Sequence, residues 1–431
     1  MRSKRTGFAA ILLVISFFQF SQQAPAGEEP NGPQRLEEYI RYAVEHNTGL
    51  KSHFEQWRQA VLAVRPAGTL EDPRFEYDYF VYQSPMGDQY RLKLMQTFPW
   101  FGVLETRKDA AAAAARAARE RYESAYRELV WQVQQAFYEY AYLYRAMEIA
   151  RQNLDLLKSF EQTAQIRYRT AAGTHPDIVR AQIELAQMED YLVSLEQMRE
   201  PISAGLNALL NRSSQQLLPW PAVQMPPLAD VNEADVLHVL RSSNPELKSF
   251  QMDAVAARHQ VELAEKRFYP NVSLGLEWME LDGNSMRTEH HDPLAAMVSI
   301  NLPLWADSYR DQLRQAQSRV RQIRRKMEQK ELDLVSELSQ AVFELGDTRR
   351  KAVLYRDILV PKAREMVLAS EEAYRVGQVD FLSLIDAQKT KLRYELAYER
   401  ALMDHILQQA RIERLAGREI FEKGEKDISK K

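Results

Sequence analysis

Two periodicities of apolar positions run along the chain. From Val103 to Ala172 there are 70 residues without a proline or a glycine. Within that stretch Leu129, Val133, Ala136, Tyr140, Leu143, Met147, Ala150, Leu154 and Leu157 recur in alternating steps of four and three. Such spacing predicts helices wound in a left-handed supercoil, and an unbroken helix of this length reaches roughly 105 Å. Ile178, Ala181, Leu185, Met188, Leu192 and Leu195 carry the seam on after a turn, and Leu334, Leu338, Ala341, Leu345, Thr348, Ala352, Tyr355 and Leu359 repeat it. Val130, Phe137, Ala141 and Tyr144 form a second apolar line beside the first. A helix with two seams touches neighbours on both sides, as in a ring of helices; a simple two-stranded coiled coil is the alternative.

Four shorter stretches alternate with a period of two, the strand signature. Phe75, Tyr77, Tyr79 and Val81 alternate with Glu76 and Asp78, and Tyr90, Leu92 and Leu94 with Arg91 and Lys93. Val272, Leu274, Leu276 and Trp278 alternate with Ser273, Gly275 and Glu277, and Ala296, Val298, Ile300 and Leu302 with Met297, Ser299 and Asn301. Each is read as about ten residues, the length at which a tilted strand crosses an outer membrane. Soluble sandwiches are the commoner home of such strands. Four strands cannot close a barrel, and lipid does not tolerate open edges, so in a membrane other copies of the chain must pair them.

The pattern is written twice. YRTAAGTHPDIVRAQ begins at Tyr168 and ends at Gln182; YRVGQVDFLSLIDAQ begins at Tyr374 and ends at Gln388, 206 residues later at both ends. Asn47–Ser52 resembles Asn244–Ser249, and Phe98-Pro99-Trp100 resembles Leu302-Pro303-Leu304. Repeats of this size indicate a duplicated domain rather than a solenoid. The expected organisation is a signal peptide at 1–26, a first repeat at 27–230, a second at 231–417, and a disordered charged tail at 418–431. Arg2, Lys4 and Arg5, the apolar run from Phe8 to Phe20, and Ala24-Pro25-Ala26 carry the signal-peptide reading.

Composition narrows the chemistry. Of 431 residues 45% are hydrophobic and 27% charged, as in folded proteins. The net charge of −3 offers no basic field for nucleic acid. There is no cysteine, which excludes disulfides, thiolate catalysis, cysteine zinc sites and a lipid-modified N-terminal cysteine. No nucleophile elbow, P-loop, H-E-x-x-H or dinucleotide fingerprint is present, so no enzyme is read from the chain. His290-His291 lies among Asp282, Glu289 and Asp292, a donor set that zinc or copper accepts. Adjacent histidines in a polar loop are more often incidental, and no metal or cofactor is assigned.

Together the duplication, the strand pairs, Gln96-Thr-Phe-Pro-Trp-Phe-Gly102 at a strand-to-helix junction and the two Tyr…Ala-Gln stretches resemble the TolC-type outer-membrane efflux family over about residues 36 to 417. The resemblance implies a mainly α fold with a small β part. Long antiparallel coiled-coil helices form an α-barrel, and four strands per subunit contribute to a trimeric twelve-stranded transmembrane β-barrel. It implies a passive homotrimeric duct in outer-membrane lipid with a large periplasmic portion. Its partners are a periplasmic adaptor and an inner-membrane pump, the resistance-nodulation-division type being one class. The two Tyr…Ala-Gln stretches become helix–turn–helix tips that dock the adaptor through Gly173, Thr174, Ala181, Gly377, Gln378 and Ala387. Gly173 and Gly377 are expected to reverse the chain at positive φ. In the family a tyrosine of the second tip bonds an aspartate of the first, here Tyr374 and Asp177. Asp386 supplies one carboxylate per subunit to a cation-attracting ring. Ser383 stands where a second ring aspartate belongs, and Val379 where an arginine link belongs. The QTFPWFG junction resembles that of members serving heavy-metal pumps, yet drugs, metal ions and secreted peptides all remain open as cargo. The runner-up is a periplasmic coiled-coil adaptor or structural protein; 15 thinly spread glycines show no sign of the Gly-rich modules such adaptors carry.

Overall fold

The computed structural model describes residues 33–82, 88–223, 225–281 and 293–421. The expected signal peptide, most of the charged tail, and His290-His291 with their acidic neighbours lie outside the described residues.

The first half runs α1 (Leu36–His46), α2 (Thr48–Leu62), a single helical turn α3 (Val64–Ala67), β1 (Arg74–Tyr79), β2 (Asp88–Phe98), α4 (Val103–Arg169) and α5 (His175–Leu209). The second runs α6 (Glu233–Ser243), α7 (Pro245–Lys266), β3 (Val272–Leu281), β4 (Leu294–Ile300), α8 (Ala306–Leu354), a π-helical turn (Tyr355–Leu359), α9 (Val360–Arg375) and α10 (Phe381–Ala416). At 67 residues α4 is a rod of roughly 100 Å. The π turn lies just before Pro361, which has no N–H to return to the carbonyl four residues back, so the rod from α8 into α9 widens there by one residue.

Both seams of α4 are packed. Leu129, Val133, Tyr140, Leu143, Met147, Ala150 and Leu157 of the first are buried, as are Phe137 and Ala141 of the second. With Leu195 and Leu206 of α5 and Leu384, Met403 and Ile406 of α10 they make one core. A two-stranded coiled coil has no use for the second seam, and α4 also lies against α7. Ala110, Ala113 and Ala117 are buried along this part of α4, while α7 packs Ala254 and Ala257 against Val320 and Ile323 of α8. Helix α4 starts at Gly102, whose φ is +74°, and the Lys266 ammonium donates to the Gly102 carbonyl (2.9 Å) and to Thr106 Oγ1 (2.8 Å).

Equivalent joints occur in each half. Asn47 caps α2 by accepting from the Leu50 N–H (2.9 Å) and donates to the Leu209 carbonyl at the end of α5 (3.0 Å). Asn244 caps α7 through the Leu247 N–H (3.0 Å) and donates to the Leu415 carbonyl at the end of α10 (2.9 Å).

The sheet is antiparallel in the order β1-β2-β3-β4, so β2 and β3 join the halves. Leu94 pairs with Leu276 at the centre of that joint. The strands have 6, 11, 10 and 7 residues, so β1 and β4 are shorter than the ten residues expected; β1 leaves the ladder after the Tyr79–Tyr90 pair. The sheet is inverted relative to a water-soluble one. Phe75, Tyr77, Tyr79, Leu274, Leu276, Leu294, Val298 and Ile300 are exposed, while Glu76 and Asp78 are half-buried. The polar set is cross-linked by Arg91–Glu277 (3.0 Å), Lys93–Asp78 (3.7 Å) and Thr97–Ser273 (2.9 Å). No helix among the described residues is long and apolar enough to cross a membrane.

Candidate functional site

The site is the far end of the molecule from the sheet, where α4 turns into α5 and α9 into α10. The two turns close alike: the Ala172 N–H returns to the Arg167 carbonyl and the Gln378 N–H to the Ala373 carbonyl, both at 2.8 Å. The left-handed residue is Gly377 (φ +82°) in the second turn but Ala171 (φ +55°) in the first. Gly173 therefore does not reverse the chain at positive φ as expected. Its place is set by close approach: a Cβ there would lie 3.0 Å from Arg167 Cβ and 3.2 Å from the Tyr168 backbone nitrogen.

Each turn runs directly into a helix. Thr174 precedes α5, and its N–H donates to Asp177 Oδ2 (3.3 Å). Asp380 caps α10, its Oδ1 accepting from the Ser383 N–H (2.9 Å) and hydroxyl (2.6 Å). These bonds hold the Asp380 carboxyl below the usual carboxylate range, the Ser383 hydroxyl contributing most and the Arg180 charge adding to it. Ser383 thus locks a helix start, and Thr174 and Gln378 are exposed at the turns.

Tyr374 is 2% exposed, and its hydroxyl lies 3.5 Å from Asp177 Oδ2. Burial, then the neighbouring Asp177 charge, pushes the phenol up to about 12, so at neutral pH it is a proton donor. Its ring meets Phe381 edge-on with centroids 5.4 Å apart. On another side lies Arg167, which sequence reasoning missed. The guanidinium carbon sits 4.3 Å from the Tyr374 ring centroid, and the group donates to the Tyr374 carbonyl and to the Ala172 carbonyl (2.7 Å). Arg167 Nη2 would be 3.3 Å from a Cβ at position 377. The guanidinium is half-buried and the ring buried, and such partial desolvation strengthens a cation–π contact. Val379, which stands where the family pattern has an arginine, is apolar and packs against the core; the arginine that contacts Tyr374 is Arg167 of the other hairpin.

Ala181 and Ala387 are 1% and 2% exposed, while Asp386 is exposed. The glutamines that close the two stretches both reach another helix: Gln182 to Glu161 (3.2 Å) and Gln388 to Asn153 (3.3 Å), the latter pair fully buried. Lys389 of α10 pairs with Glu184 of α5 at 2.6 Å. Among the described residues no group of His, Asp and Glu is arranged to hold a metal ion.

A rod-like helical body, an inverted sheet and a cross-linked pair of hairpin ends are parts of one known architecture. The sequence profile of outer membrane efflux proteins matches residues 87–212 and 236–418. The chain belongs to the outer membrane efflux protein family. In fold it is similar to the outer-membrane channel OprN (20% identity, TM-score 0.75, 89% of each chain covered). It is likewise similar to the outer membrane protein VceC of Vibrio cholerae (17%, 0.74, covering 89% of this chain and 96% of that one) and to CusC (16%, 0.74, covering 93% and 96%). An uncharacterized protein of Haemophilus influenzae is 24% identical over 215 residues, covering 49% of this chain and 47% of that relative, about half its length. As a member of the outer membrane efflux protein family the chain is an outer-membrane protein with a large helical part in the periplasm.

Proposed function

We propose that the chain is the passive outer duct of a tripartite efflux or export system. The observation that carries this reading is the inverted sheet, apolar outside, ion-paired inside and unpaired at β1 and β4. Three copies pair those edges into a twelve-stranded barrel, and the helices continue it as a tunnel through the periplasm. The chain arose by internal duplication, with repeats at 27–230 and 231–417; the twin Asn47–Leu209 and Asn244–Leu415 joints support this. Duplication presents six similar hairpin ends per trimer to the hairpins of a periplasmic adaptor, through the surfaces around Gly173, Thr174, Gly377 and Gln378. An inner-membrane pump supplies the energy, for the duct has no chemistry of its own.

The hairpin ends also form the gate. Arg167, Asp177 and Tyr374 latch the second hairpin to the first, and Asp386 brings one carboxylate per subunit to the narrow end. Purification from outer membranes in detergent tests the reading. A particle of three mature chains that conducts weakly in a planar bilayer is expected. A soluble monomer without conductance overturns it and returns the coiled-coil adaptor to first place.

A further inference from the structure

Helix α7 lies against both α4 and α8, and a polar groove runs along one face of that layer. Two adjoining hollows of about 310 and 330 Å³ make it up, sharing Gln260 and Arg319. Asp253, Gln260 and Arg267 of α7 recur every seven residues, as do Gln312, Arg319 and Lys326 of α8, so each set lines one face of its helix. Asp253 is the one carboxylate among the lining residues, and Arg121 of α4 pairs with it. Arg319 donates instead to the amide of Gln322 (2.6 Å), and Arg267 to that of Gln312. Lys326 enters no ion pair among the described residues. Arg267, Arg319 and Lys326 are all exposed and stand without a carboxylate.

Helix α4 tells which face this is. Helix α1 covers α4, and the hollow between them is lined on α4 by Arg127, Val130 and Gln134. Val130 comes nine residues after Arg121, about two and a half helical turns. The groove is therefore on the face opposite to the one that α1 covers. A tunnel keeps its inner face clear, so the covered face is the outer one and the groove looks inward.

We propose that this groove is an anion-binding subsite in the tunnel wall, one in each subunit, taking small molecules that carry carboxylate or phosphate groups. The inference rests on the reading of the chain as a trimeric tunnel. Guanidinium forks match carboxylate and phosphate oxygens in pairs. Lys326 adds a point charge, and the glutamine amides serve the uncharged polar parts of a ligand. A wall of one sign also concentrates its counter-ions. Arg267 stands five residues before β3, so a ligand entering through the barrel reaches the groove without passing the hairpin ends. The subsite favours the passage of anionic or zwitterionic cargo.

Two experiments on purified channels in planar bilayers test this. The chain has no cysteine, so Arg319→Cys introduces a single thiol. Its reaction with a sulfonate-bearing methanethiosulfonate is expected to change single-channel conductance; reaction without such a change puts the groove outside the tunnel and overturns the inference. Inositol hexakisphosphate added on the side of the sheet is expected to block the wild-type channel, and to block it less in about 1 M than in about 0.1 M salt. Replacing Arg267, Arg319 and Lys326 together by Gln weakens the block about tenfold or more, while Asp253→Asn, which releases Arg121, strengthens it about twofold or more. Absence of wild-type block, or a block that neither variant moves, overturns the subsite and leaves the duct standing. Trimer mass checks each variant, and if the triple variant does not assemble, Asp253→Asn decides alone. A wild-type chain without trimer or conductance removes the tunnel itself, and the proposed function falls with the inference.

Discussion

On the proposed gate, replacing Arg167 is expected to open the channel more than replacing the Tyr374 hydroxyl. The geometry fixes the order. In Arg167→Met the Tyr374 ring loses a cation 4.3 Å from its centroid, about 1 kcal/mol for a partly desolvated pair. Its carbonyl loses a charged donor, about 1.5 kcal/mol more. Three subunits moving together multiply that to roughly 7 kcal/mol, enough to move a gate from almost always closed to mostly open. Tyr374→Phe keeps ring, cation and carbonyl bond and loses only the contact to Asp177 at 3.5 Å. That length lies beyond a good O–H···O bond, so about 0.5 kcal/mol per subunit is lost, roughly a tenfold shift per trimer. Single-channel recording of open probability and conductance separates the two. Arg167 also bonds the Ala172 carbonyl of its own turn, so Arg167→Lys, which keeps the charge without the planar fork, serves as control and is expected between wild type and Arg167→Met. A Tyr374→Phe channel as open as Arg167→Met would refute the reasoning, because the aspartate contact would then outweigh the cation.

Alkaline pH unfolds the helical body before it ionises all 20 tyrosines. Burial raises Tyr138 and Tyr374 to about 12, and raises Tyr39 as well. A folded-state pKa above the unfolded value near 10 gives stability that is complete below pH 10 and lost as pH climbs through about 12. Tyrosinate absorbance and circular dichroism, followed together, should show the late group ionising with loss of helix; uniform titration near 10 without unfolding contradicts this. Gly417→Ala is expected to cost about 2 kcal/mol or more, because φ is +75° and a Cβ would lie 2.7 Å from the Ser243 carbonyl oxygen. Gly346→Ala, inside α8 with nothing within 4 Å of the new methyl, should instead stabilise by about 0.5–1 kcal/mol. Thermal unfolding compares the pair, and a loss of stability at 346 would mean that face is not open.

The helices were legible because a heptad seam leaves a repeating mark, and both seams of α4 could be read from residues such as Val133 and Phe137. The strands were legible as alternation, but not their ends: Val81 continues the β1 pattern, yet pairing stops at Tyr79. The turns misled where composition stood in for geometry. Glycine suggests positive φ, but in the first turn Ala171 takes it and Gly173 answers crowding by Arg167. Arg167 left no signal because duplication was the guide, and its counterpart in the second half is Ala373. A side chain that serves only between repeats cannot show itself by repetition. The π turn had one visible cue, Pro361, but the seam through Tyr355 and Leu359 ran across it unbroken in the sequence.

The two halves are fastened very differently at their two ends. Near the membrane, β2 and β3 are stitched residue by residue from Phe98–Val272 outward. At the other end, side chains do the fastening. Between the two ends the shared core of α4, α5 and α10 stiffens the body, so it tilts as one lever about its sheet. Over helices of roughly 100 Å, a tilt of about 5° at the pivot moves the far end by about 9 Å, about twice the 4.3 Å between the Arg167 guanidinium and the Tyr374 ring. A small deformation of the sheet is thus magnified into a large displacement of the hairpin ends, and a force applied at those ends works with the longest possible arm.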